Sequence, residues 1–315
     1  MHPALSIILF TTSSGAGFAL VALLGVGAPL GLLPTTESFG FTALAVAFVL
    51  AAGGLLSSVF HLGRPERAWR ALSQWRSSWL SREGVFSILT FLPVVVFGAG
   101  WVFFGKTSGL LGLCGILAGA LALMTIYCTG MIYYSLKPIG QWHNQWVVPS
   151  YLALGLMSGS LVLDFLERLW VGRASGAALL SVVLVLAAWW IKERYWRDIN
   201  TSSASSTVAS ATALGSRGTV RMFEAPHTQE NYLLKEMGYR IARQHRIRLR
   251  QIARASGFAL PAIASLLAIF LSGPVGMIMA GVGAASAALG IVIERWLFFA
   301  EAKHTVVLYY GADAV

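Results

Sequence analysis

The sequence predicts an all-α, polytopic membrane protein with eight transmembrane helices and both termini cytoplasmic. Three observations predict it. Of 315 residues, 57% are hydrophobic and only 11% charged, against about 25% charged in an ordinary soluble domain. Mean hydropathy is +0.70, which excludes a soluble enzyme and a disordered chain. Eight stretches are each long enough to cross a bilayer, and the basic residues gather on alternate connections.

The eight stretches are about 4–27, 39–61, 84–105, 108–136, 148–170, 175–196, 256–273 and 275–301. A spanning helix needs roughly 20 mostly apolar residues. The runs are continuously apolar, without the period-two alternation of a barrel strand, and helices satisfy their own backbone in lipid. The first lacks a Lys/Arg-rich start and is too long for a signal core, so it is expected to stay as a membrane helix. Little more than Gly273-Pro274 separates the last two, which predicts a tight helical hairpin.

With eight spans, the termini and the connections after spans two, four and six share one side. That side holds 20 of the 23 Lys/Arg, including Arg64, Arg67, Arg70, Arg76 and Arg82; the other has Lys106, Arg168 and Arg173. Acidic residues balance the bases on the sparse side, so the whole net charge of +10 belongs to the basic one. The positive-inside rule makes that side cytoplasmic. Such an excess on a soluble protein would suggest nucleic acid. Beside a membrane, anionic lipid explains it, and no nucleic-acid partner is expected. Nine of the eleven tryptophans also fall near the basic side, where most are expected to anchor at the interface; Trp101 and Trp170 lie toward the other.

The chain is expected to form one membrane domain, 1–315, carrying three basic-side segments. Residues 64–82 mix Arg and Trp and suit a short helix in the headgroup layer. Residues 137–146 form a polar and aromatic turn. The 197–255 loop joins a Ser/Thr/Ala-rich linker (200–219), which cannot bury a core, to a basic helix (230–254). No internal repeat is visible and polar residues sit mainly at the rims. A secondary transporter, the alternative of another class, would show repeats or midplane polar pairs.

Cys114 and Cys128 are fourteen residues apart, about 21 Å along a helix. They cannot share a disulfide or an iron–sulfur cluster, and no metal site is expected. All six histidines fall on the basic side. A b-type haem across the bilayer needs ligands on packed helices, so none is expected; an edge haem through His61, His143 or His304 stays open. His61 ends span two and Glu83 begins span three, and the connection can bring both to one rim. A histidine that donates to a carbonyl and a carboxylate that takes a proton suit quinone chemistry, with Arg64 and Arg82 available to stabilise developing charge. Equally, His61 could cap a helix and Glu83 pair with a nearby arginine. Asp164 and Glu167 lie one turn apart, as rim residues neutralised by Arg168 or part of a proton route. Glu294 and Arg295 suggest an ion pair at a bundle interface.

Three blocks resemble one family: HLGRPERAWRALSQWRSSWLSRE (61–83), MIYYSLKPIGQWHNQW (131–146) and ERWLFFAEAKHTVVLYY (294–310). They are similar to the membrane-anchor subunits of dimethyl-sulfoxide-reductase-type molybdenum enzymes. The resemblance extends over nearly the whole chain. It implies an anchor that exchanges electrons with ubiquinone or menaquinone and holds no haem. It also implies a partner with four 4Fe–4S clusters and a catalytic subunit with molybdopterin guanine dinucleotide. The family's quinol-site histidine and glutamate match His61 and Glu83, while Arg64 and Arg82 rest on the chemistry above. Because the matching block carries the positive-inside signal, the partners are expected in the cytoplasm. That resembles the anchors of membrane-bound sulfite dehydrogenases and favours quinone reduction driven by sulfite oxidation. A quinol-oxidising anchor of a dimethyl-sulfoxide-reductase-type enzyme is the alternative.

Overall fold

The computed structural model describes residues 5–62, 64–172, 175–201, 206–221, 223–224 and 245–310, with the backbone alone for His61 and Tyr310. Among the described residues, eight helices are long and apolar enough to cross a membrane. They are α1 (Leu5–Gly27), α2 (Glu37–Ser57), α3 (Trp79–Phe104), α4 (Gly109–Tyr134), α5 (Val147–Val171), α6 (Ser175–Thr201), α7 (Arg246–Phe270) and α8 (Gly273–Ala300). The expected spans are all present. Two of them begin earlier than hydropathy alone indicates, because polar residues join the helix.

The first is α3, which starts at Trp79 instead of 84. The Ser78 side chain accepts from the Ser81 amide and caps that start, so Glu83 sits in the second turn of a formed helix. At its far end Gly105 closes α3 in the left-handed region, with φ of 61°. The second is α7, whose first turns are Arg246–Arg254, the end of the predicted basic helix. Residues 230–244 of that prediction lie outside the described residues. A π-helical turn, Ala255–Ala259, interrupts α7 just before Pro261. The proline ring would clash with the carbonyl four residues back, and the wider turn relieves it.

Packing uses small residues, as expected where lipid removes the hydrophobic drive between helices. Helices α1 and α5 are the most buried spans. A Cβ on Gly25 of α1 would collide with the Gly115 backbone of α4, and one on Gly290 of α8 with Gly257 of α7. Both glycines set the closeness of their helix pairs.

The connections fall at two ends. At one lie 28–36, 105–108 and 271–272; Gly273 N donates to Gly172 O across 2.9 Å there. At the basic end, 3-10 turns Ser58–His61 and Pro65–Gln74 join α2 to α3, and another, Thr305–Tyr310, follows α8. The Pro65–Gln74 turn buries no residue and leaves Trp69 66% exposed, as suits a headgroup-layer segment. Within the predicted linker, Val208–Thr212 forms a short helix with a Thr207–Ser210 capping box.

Not every tryptophan lies at the interface. Trp101, Trp142 and Trp196 are buried in the core, so these three are packing residues instead of interfacial anchors. Trp101 Nε1 donates to Thr35 O at 3.2 Å, and Trp142 Nε1 to Phe298 O at 3.0 Å. Burial of these two is possible because each indole N–H has found a carbonyl.

Candidate functional site

Glu83 is 3% exposed. Its carboxylate accepts a hydrogen bond from the Thr129 hydroxyl of α4. Among the described residues it forms no ion pair, so the arginine pairing that spacing left open does not occur there. A carboxylate held in apolar surroundings by one neutral donor is costly, which is why such residues mark functional sites by default. Thr129 also donates back to Thr125 O at 3.1 Å, tethering the hydroxyl to its own helix.

The Pro65–Gln74 turn folds against the first turns of α3. Ser81 donates to Ala71 O, and the Leu72 side chain lies against Gly84, where any Cβ would strike it. Arg82 secures the same flap: Nε donates to Trp75 O at 3.0 Å, Nη2 to Arg76 O at 2.6 Å, and its guanidinium lies 4.2 Å over the Trp79 ring. Arg64 is exposed at the start of the turn. The backbone of His61 ends the Ser58–His61 turn on the α2 side of this flap; its side chain lies outside the described residues.

Behind Glu83 stands an aromatic wall. Tyr133 stacks on Tyr151 at 5.6 Å between centroids and meets Trp142 at 5.3 Å, Phe298 at 5.3 Å and Phe299 at 5.5 Å. Two of the three blocks singled out in the sequence meet here. The 135–146 connection packs on the end of α8, with Thr305 Oγ1 donating to Pro138 O and Lys303 N to Gln141 Oε1, each at 3.0 Å. His143 is exposed and its Nδ1 lies 2.6 Å from Tyr134 O, while His304 meets the edge of Trp142.

Sequence reasoning missed Lys192. It lies 1% exposed inside the bundle, ion-paired to Glu294 of α8, and its Nζ is 3.7 Å from the centroid of Tyr195. The expected Glu294–Arg295 contact is the looser one, at 3.6 Å. Arg250 and Arg254, at the end of the predicted basic helix, also turn inward. Arg250 Nε donates to Glu301 at 2.8 Å and Arg254 Nε to Glu193 at 2.5 Å, locking the start of α7 to α8 and α6. At the opposite end, Arg168 Nε donates to Asp164 at 2.8 Å and Nη1 to Leu271 O at 3.0 Å. Glu167 is buried beside them and lines a pocket with Leu23, Leu33 and Leu180. Cys114 is half-buried and Cys128 buried, and both are free thiols. Among the described residues no three His, Cys, Asp or Glu side chains gather to hold a metal ion.

Fold and site together define a multi-pass membrane subunit with buried ionisable chemistry at one end of a helical bundle, under a flap of arginine and tryptophan. The chain belongs to the DMSO reductase anchor subunit (DmsC) family, whose model matches residues 1–311. It is 32% identical over 333 aligned positions, covering all of both chains, to the C subunit of the sulfite dehydrogenase of Allochromatium vinosum. No solved structure matches. The chain is therefore a membrane anchor of an oxidoreductase complex.

Proposed function

We propose that this anchor exchanges electrons between an iron–sulfur partner and the quinone pool, and that it reduces quinone while sulfite is oxidised in the complex. The observation that carries the reading is Glu83: a carboxylate buried at the basic end and bonded to a neutral hydroxyl. Quinone reduction consumes two electrons and two protons, so it needs a proton donor inside the bilayer with a route to water. Glu83 serves as that donor. His61 orients a quinone carbonyl, and the aromatic flap excludes bulk water from the head group. Arg64 and Arg82 contribute positive charge at the mouth. With Arg82 bound to two flap carbonyls, its part is to hold the flap in place as well as to polarise the head.

The basic end faces the cytoplasm of a bacterial inner membrane, where a four-cluster iron–sulfur subunit and a molybdopterin catalytic subunit dock on the flap and the basic loop. Sulfite oxidation is favoured by likeness to a sulfite dehydrogenase subunit. In the purified complex, Glu83→Gln and His61→Ala should each lower sulfite-driven quinone reduction roughly 100-fold, the lower range for loss of a general acid or base. Sulfite oxidation with a water-soluble electron acceptor should stay at the parent rate. Normal quinone kinetics in both variants would remove the assignment.

A further inference from the structure

A large pocket opens at the end of the bundle away from the basic loops. Its first wall is the end of α1 with the connection that follows. Leu32 N donates to Gly27 O at 2.9 Å, which folds the chain back and lays the Leu33 side chain against Gly27. The second wall is the end of α5 from Leu163 to Val171, about 12 Å of helix, and the third is the start of α6. The space between them is about 660 Å³, within the range of ligand sites. Val26 and Val171 at its margin belong to spans yet are exposed, so the mouth faces lipid. Among the described residues, Glu167 is the one ionisable side chain in its lining. It is 6% exposed, and among those residues it makes no hydrogen bond or ion pair. Arg168, its neighbour in sequence, is closed on Asp164 and the Leu271 carbonyl instead. As ions, Asp164, Glu167 and Arg168 sum to one negative charge, and a buried charge without a counter-charge is costly. Gly176 of α6 lines the same space, and a Cβ placed there would meet nothing within 4 Å.

We propose that this pocket binds one phospholipid with a primary-ammonium head group, taken from the leaflet opposite the basic end. The ammonium donates to the Glu167 carboxylate and supplies the positive charge that Arg168 spends on Asp164. An acyl chain fills the apolar floor at Leu23, Leu163 and Leu180, and the phosphate stays at the water-facing rim. Held there, the lipid ties the connection after α1 to the α5–α6 hairpin. A buried carboxylate selects this head because charge-assisted hydrogen bonds need an N–H donor as well as a positive charge. A trimethylammonium head has the charge without the donor, and an anionic head is repelled. The hydroxyls of a quinol would leave the carboxylate charge uncompensated. A hydrocarbon core about 30 Å thick separates this end of the bundle from the basic one, so the pocket is distinct from the quinone site placed at Glu83.

The test uses the intact complex, purified in mild detergent, stripped of lipid and resupplied with equal amounts of phosphatidylethanolamine, phosphatidylcholine and phosphatidylglycerol. Native mass spectrometry counts the lipids retained. The parent should keep one phosphatidylethanolamine per anchor about tenfold better than either competitor, the size expected of one charge-assisted contact. Glu167→Gln keeps the side-chain shape, removes the charge and should abolish that preference. Gly176→Phe leaves the carboxylate in place, fills the space and should abolish it as well. Glycerophosphoethanolamine, the same head without its chains, should not compete. Equal retention of the three lipids by the parent overturns the proposal, as does either variant keeping the preference. Displacement by the chainless head would make this a site for a soluble amine and overturn the lipid assignment. If Glu167→Gln fails to assemble, Gly176→Phe decides by the same criterion. No readout here involves quinone, so failure of the quinone reading would leave this proposal standing, and the reverse.

Discussion

At the end of the bundle away from the basic loops, Asp164 has an arginine of its own, one helical turn away and 2.8 Å from its carboxylate; that arginine also closes on the Leu271 carbonyl. At the basic end, Glu83 is buried as well but has a threonine hydroxyl where Asp164 has a guanidinium. Both carboxylates were removed from water, and only Asp164 was given an ion-pair partner. An ion pair closed within one helix serves the fold. A carboxylate with only a neutral partner is free to exchange a proton.

The largest effect in this comparison is structural and belongs to the opposite end. Arg168→Met leaves Asp164 buried without its cation and should cost about 3–5 kcal/mol. It would show as a lower thermal midpoint of the detergent-solubilised complex, with quinone turnover per folded molecule retained. A midpoint unchanged from the parent would show that the Asp164–Arg168 pair does not hold the fold. Next in size is the double variant Asp164→Leu with Arg168→Met. Removing both charges together should recover most of that loss, to within about 1–2 kcal/mol of the parent, because apolar replacements of a buried pair are often neutral. If the double variant is as unstable as the single one, the Leu271 contact outweighs the pair.

How much of this was legible in the sequence follows from what hydropathy measures. A run of apolar residues reports a span without reference to any neighbour, so all eight helices could be placed from composition. Glu83 was legible because a carboxylate beside an apolar run is conspicuous. Thr129 was not: a threonine inside a span has its own carbonyl four residues back to bond, and nothing in the chain order links 129 to 83. Lys192 was counted with the basic rim because it stands near Glu193 and Arg194. Its burial arises from helix rotation, which turns 192 toward α8 and leaves Arg194 over the Trp190 ring. The start of α3 was misplaced by five residues for a related reason: Ser78 caps a turn whose polar residues are satisfied by the flap, and hydropathy does not see caps.

The smallest expected effect on stability sharpens the contrast most. Glu83→Gln removes a titratable proton but keeps a side-chain carbonyl of the same reach, which can accept from Thr129 as the carboxylate does. Its added amide N–H needs an acceptor, and the cost of leaving it without one is about 1–3 kcal/mol. Against that stands relief from burying a carboxyl that ionises during turnover. The net change in thermal stability should therefore be small, on the order of 1 kcal/mol in either direction. Asp164→Asn should behave differently: it removes one member of a buried ion pair, at about 3–5 kcal/mol. Thermal midpoints of the two amide variants, measured side by side in one detergent, isolate the difference, since each exchanges the same oxygen for the same NH2 group. Equal losses would mean that Glu83 is held as firmly ionised as Asp164, and the division between a structural end and a proton-exchanging end would fail.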